Sequence, residues 1–189
     1  MSSQLVMHDK PWIVALVVIG GICLGLAAPA LLEMVRILGY RLPQEDLATD
    51  YAKGVAWAVV LGLSILAWPV SDRSKLDLLW VWFAKSLVTL GLMLVYEWNY
   101  PLDAHGYFDE ARQRGFEWEG FGIGGESAGT YNMTSLCWLL LQLVPNSYHG
   151  LKVSLAMMGL VAVYFFYRAA VLFLGYEDRR IFFLLAFWP

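Results

Sequence analysis

The chain has 189 residues, 59% of them hydrophobic and 15% charged, and its mean hydropathy is +0.57, a balance that excludes an ordinary water-soluble fold. Thirteen Lys and Arg against sixteen Asp and Glu give a formal net charge of −3 and a pI near 5.5, so no basic surface exists to wrap a phosphate backbone, and nucleic acid is excluded as a partner. The two cysteines, Cys23 and Cys137, form neither a disulfide framework nor a CxxC or Cys/His zinc array and read as packing residues.

The composition predicts an all-α integral membrane protein. A hydrocarbon core of about 30 Å takes roughly 20 apolar residues in helical form. Trp12 to Leu32 carries no charge and is the first candidate span. Ala28-Pro29-Ala30 resembles a signal cleavage site, but the run reads as a retained helix. Gly54 to Ser71 is uncharged, and Leu78 to Tyr96 carries only Lys85. Three predicted helices thus occupy residues 1–98, at about 12–32, 54–71 and 78–96.

Residues 99–152 follow as a long acidic loop. Tyr100-Pro101 ends the third helix, because proline pushes the preceding residue out of helical backbone. Leu102 to Gln113 is a predicted short helix with Asp103 at its N-cap or in its first turn. Asp103, Tyr107 and Glu110 recur at spacings of four and three and share a face. His105 and Asp109, four apart, could together take part in a divalent metal site, although one such pair is a sparse ligand set. Gly120 to Gly129 is a connector: GFGIGG lacks the following Lys-Ser/Thr and the preceding strand of a phosphate loop. Tyr131 to Val144, apolar without a break only from Leu136 to Leu141, suits a helix lying in the membrane interface with Tyr131 and Trp138 at headgroup level.

Residues 153–189 hold a fourth span, Val153 to Tyr176, charged only at Arg168, and a fifth run from Ile181 that stops after nine residues at Pro189. The expectation is about four full spans plus a truncated fifth, the front part of something longer. Arg73 and Lys75 in one tight turn, with Arg179 and Arg180 after the fourth span, mark the cytoplasmic side. The N-terminus is then cytoplasmic. The loop bearing Glu97, Asp103, Asp109, Glu110, Glu117, Glu119 and Glu126 is external, periplasmic or lumenal. Lys85 and Arg168 lie within spans, where charge is expensive; each is either a contact for a lipid-linked phosphate or an ion-paired or snorkelled anchor.

From Asp103 to Pro189 the chain resembles the front of the GT-C membrane glycosyltransferases of the dolichyl-phosphate-mannose mannosyltransferase type. DAHGYFDEAR resembles their first external loop motif. The interfacial run Tyr131 to Val144 stands where they have a second juxtamembrane helix, and GYEDRR with IFFLLAFWP resembles their next cytoplasmic turn and outward helix. The resemblance implies sugar transfer from a polyprenyl-phosphate carrier to an external acceptor, with Asp103 as the catalytic carboxylate and Tyr107 packing below it. Substrate contacts would come from Tyr107, His105, Glu110, Arg112 and Lys85. The pattern departs at Ala104, where many members carry a second acid, and two additional spans precede the motif. Membrane lipids and the polyprenyl-phosphate lipid are the implied partners, and other membrane chains could cover an open side. The rival reading is a non-catalytic transmembrane subunit of a larger complex whose apolar spans form an interface.

Overall fold

The computed structural model describes residues 26–40, 42, 46–99, 103–114 and 128–187, and among these every regular element is a helix. Helix α1 covers 26–38, α2 is Leu47–Ser64, α3 Asp72–Leu87, α4 Met93–Asn99, α5 Asp103–Arg114, α6 Ala128–Leu141, α7 Tyr148–Leu174 and α8 Arg179–Phe187. A 3₁₀ turn, Ile65–Ala67, prolongs α2, and a π-helical turn, Val88–Leu92, joins α3 to α4 without a break. Among the described residues three continuous helices are long and apolar enough to cross a membrane: Leu47–Ala67, Asp72–Asn99 and Tyr148–Leu174.

These helices begin and end where the local chemistry satisfies their free backbone groups. Asp46 Oδ1 accepts the Thr49 N–H at 3.1 Å, Ser71 Oγ accepts that of Ser74 at 3.3 Å, and Ser147 Oγ accepts that of Gly150 at 3.0 Å. The Asp46 bond also holds that carboxyl below the usual aspartate range. Gly175, at φ +76°, closes α7 in the left-handed conformation that glycine adopts without strain. At the π turn the Tyr51 hydroxyl donates to the Leu90 carbonyl at 2.7 Å, so an inserted side chain takes an acceptor from a locally widened helix.

The dominant packing is α2 against α7. Gly54 makes it possible: a Cβ there would stand 2.5 Å from the His149 Cβ. Farther along, Trp82 lies over Gly62 and donates its indole N–H to the Ala58 carbonyl at 2.9 Å, drawing α3 onto α2. One core surrounds Ile65, Leu78, Val81, Trp82 and Leu160. A second, around Leu94, Phe108, Cys137, Tyr148 and Leu151, fastens α5 and α6 to the opposite end of the bundle. Large apolar side chains cover the outward faces, with Phe165, Phe166, Leu172 and Phe173 all exposed.

The spans differ from the sequence reading at their ends. Gly54–Ser71 becomes Leu47–Ala67, because Asp46 caps one end and Trp68-Pro69 stops the other. Leu78–Tyr96 becomes Asp72–Asn99, and Val153–Tyr176 becomes Tyr148–Leu174. The structure tolerates the charges this brings into the helices because Asp50, Asp77, Glu97 and Lys152 are each paired. Most of the first expected span, 12–25, lies outside the described residues, and so does the 115–127 stretch with Glu126. The expected short helices Leu102–Gln113 and Tyr131–Val144 correspond to α5 and α6. The run from Ile181 lies in α8, which begins two residues earlier at Arg179.

Candidate functional site

Helices α5 and α6 pack on each other between the end of α4 and the start of α7. Six of the seven residues that bear on the expected chemistry lie on α5. Asp103 opens the helix, is exposed, and bonds to no other described residue. Tyr107 is half-buried against the second core. Glu110 Oε2 accepts the Thr134 hydroxyl of α6 at 3.2 Å. Arg112 lies with its guanidinium 5.4 Å from the centre of the Phe108 ring.

His105 points inward and is 4% exposed. Its Nδ1 lies 3.2 Å from Asp109 Oδ2, the four-residue pairing that the spacing predicts. The ring meets Tyr148 at 5.2 Å and Phe108 at 5.8 Å between centroids, while Nε2 is buried without a partner. His105 therefore docks α5 onto the first turn of α7. Lys85 stands apart from this group, twelve residues before Glu97 in the same continuous helix and so about 18 Å away along its axis.

A metal does not fit these residues. His105 and Asp109 bring two donors together, and no group of three His, Cys, Asp or Glu side chains able to hold an ion occurs among the described residues.

The sequence reading missed a buried polar network directly beneath α5. Asp50, in the first turn of α2, receives the backbone N–H groups of Tyr148 at 2.9 Å and His149 at 3.2 Å. A carboxylate from one helix thus serves the positive N-terminal end of another. Asp50 Oδ2 is 2.6 Å from His149 Nδ1, and a carboxylate partner makes that nitrogen the N–H donor. Ser147 Oγ completes the junction by donating to the Asp50 carbonyl at 3.0 Å. One turn higher, Glu97 of α4 is 2% exposed; its Oε1 accepts the Tyr148 hydroxyl at 2.7 Å and the Lys152 ammonium at 2.6 Å. Tyr148 is the hinge-pin of the assembly, since its backbone is held by Asp50, its hydroxyl by Glu97 and its ring by His105 and Phe108.

The partners in this network are 51 to 99 residues apart in sequence. No local motif joins them. The available signal is an acid beside each apolar run, Asp50 and Glu97, facing a Ser-Tyr-His-Gly-Leu-Lys stretch with two cations or potential cations.

No family model, curated protein or solved structure matches the chain. Electrostatics then distinguish the carboxylates. Asp50 is enclosed with both oxygens bonded and Glu97 is enclosed with its Oε1 bonded twice, whereas Asp103 is exposed and bonds to no other described residue. On α6, burial pushes the Cys137 thiol up to about 11; at neutral pH it is protonated and no nucleophile.

Proposed function

We propose that the protein is an integral membrane glycosyltransferase of the GT-C type, or the N-terminal portion of one, transferring a sugar from a polyprenyl-phosphate carrier to an acceptor outside the cytoplasm. The observation that carries this reading is the α5–α6 pair inserted between two long apolar helices, with Asp103 exposed at its start and bonded to no other described residue. Such a pair lies at headgroup level when the flanking helices span the bilayer. Arg73, Lys75, Arg179 and Arg180 all fall at the other end of those helices, which makes that end cytoplasmic and the N-terminus cytoplasmic with it.

In this reading Asp103 is the general base. Its carboxylate takes the proton of an acceptor hydroxyl as the oxygen attacks the anomeric carbon, and the bond from that carbon to the carrier phosphate breaks. The leaving phosphate departs with the polyprenyl chain, which stays among the lipids. Tyr107 and Glu110 lie farther along the helix and bound the acceptor side. Arg112 offers its guanidinium to the phosphate, a geometry suited to bidentate contact. His105 acts through position, fixing α5 on Tyr148.

The test is sugar transfer by the native protein in liposomes supplied with polyprenyl-phosphate-linked sugars. Asp103→Asn should lower the rate by about 10²–10⁴, the usual worth of a positioned base, with unfolding temperature unchanged because the side chain is exposed. Equal turnover by wild type and Asp103→Asn would sink the assignment. No transfer by the wild type from any such donor would favour the non-catalytic subunit.

A further inference from the structure

The end of the bundle opposite α5 and α6 holds a cavity of about 370 Å³ between the start of α3, the second half of α7 and the start of α8. Pockets for small ligands usually measure about 300–1,000 Å³. Three arginines line this one: Arg73 in the first turn of α3, and Arg179 and Arg180, which open α8. Ser71 and Ser74 bring hydroxyls from the start of α3, so the positive end of that helix meets the same space. The floor is aromatic. Phe182 meets Tyr167 at 5.3 Å and Tyr164 at 6.2 Å between ring centroids, and Tyr167 and Phe182 are buried.

Acids line the cavity too, and each is already engaged. Asp77 accepts from Arg179 Nε at 2.7 Å and again from its Nη2, Glu177 lies 3.2 Å from Arg168 Nη1, and Asp178 Oδ1 accepts the backbone N–H of Arg180 at 2.8 Å. The fork on Asp77 fixes the Arg179 guanidinium and leaves its remaining N–H groups for a ligand. The guanidiniums of Arg73 and Arg180 bond to no other described residue. Two cations on opposite walls, with hydroxyls beside them, suit a dianion rich in oxygen. A phosphomonoester carries a charge of about −1.5 to −2 and three acceptor oxygens, and guanidiniums meet such oxygens in pairs. The aromatic floor suits an ester with an apolar body better than a bare ion.

We propose that this cavity binds a phosphomonoester, the headgroup of an anionic membrane lipid, with Arg73 and Arg180 holding the phosphate oxygens from two different helices. The cavity stands at one end of Asp72–Asn99 and of Tyr148–Leu174, which is headgroup depth when those helices cross a bilayer. On α7 the exposed Phe165, Phe166, Leu172 and Phe173 surround Tyr167 in sequence and face lipid beside it. Basic pockets between membrane helices are suited to phosphorylated headgroups for this reason. A soluble phosphate ester shares the chemistry of the head but not the depth. Once bound, the phosphate ties the start of α3 to the start of α8. The site lies at the far end of the bundle from Asp103 and does not depend on what α5 does.

The experiment places the native protein in phosphatidylcholine nanodiscs and follows its unfolding temperature as phosphatidic acid is added to the bilayer or glycerol phosphate to the solution. Phosphatidic acid should raise the unfolding temperature and saturate. Arg73→Gln and Arg180→Gln, both at exposed side chains, should each raise the half-saturating lipid fraction about tenfold, the worth of one charge-assisted bond. Lys75→Gln removes a cation from the same end of the bundle, but Lys75 pairs with Asp72 outside the cavity, so binding should not change. Asp103→Asn should also leave it intact, which separates this inference from the catalytic one. A response to the lipid alone identifies the membrane as the source; an equal response to glycerol phosphate supports the same site with a soluble ester. No response to either overturns the proposal. So does equal weakening in Lys75→Gln, which would reveal diffuse attraction to a basic surface, or an equal response to phosphatidylglycerol, an anionic diester.

Discussion

The molecule keeps its carboxylates in two contrasting settings only a few residues apart. Glu97, near the end of α4, is enclosed and holds a tyrosine and a lysine, while Asp103, at the start of α5, is exposed and bonds to no other described residue. Removing one partner of a buried pair leaves the other charge without solvent or counter-ion, a loss of about 3–5 kcal/mol. A surface carboxylate has no such dependents, and its replacement is worth within about 0.5 kcal/mol. The buried acids therefore assemble the end of the bundle, and the exposed acid is available for chemistry.

That contrast can be broken most severely at Asp50. Asp50→Ala strips the start of α7 of its acceptor and leaves His149 unsatisfied, so a loss of stability of about 3–5 kcal/mol is expected in denaturant unfolding of the detergent-solubilised protein. A loss below about 1 kcal/mol would mean that water serves α7 as well as the carboxylate does. Gly54→Val comes next. Its side chain would collide with His149, forcing α2 and α7 apart at a cost of about 1–3 kcal/mol, read as a lowered unfolding temperature.

Smaller effects sharpen the comparison. Thr134→Val removes the hydroxyl that Glu110 accepts and should cost about 0.5–1.5 kcal/mol; hydrogen exchange on α5 should rise if that bond helps to fasten the pair. Smallest of all is Cys137, which is 1% exposed. Its raised pKa keeps the thiol neutral through pH 8 and leaves the reactive thiolate to appear only as pH rises toward about 11. In a Cys23→Ser background, maleimide should label the folded protein slowly at pH 8 and quickly after unfolding; fast labelling of the folded form would show that α6 is not packed as described.

Periodicity and composition were enough to read three long apolar helices and the short helices α5 and α6. Runs with at most one charge located three long helices because apolar length is a local property, and Pro69, Gly175 and the serines at 71 and 147 stop or start helices through bonds within a few residues. The row on α5 was legible for the same reason, since four-residue spacing alone pairs His105 with Asp109. Only the tertiary structure decided which acids are spoken for. Asp50 and His149 stand 99 residues apart in sequence, and their approach depends on Gly54 letting two helices nearly touch. Glu97 and Asp103, six residues apart, look alike in the sequence. Their difference arises because α4 turns one toward Tyr148 and Lys152 while the start of α5 turns the other outward, and the energy of a charge is set by what surrounds it in space.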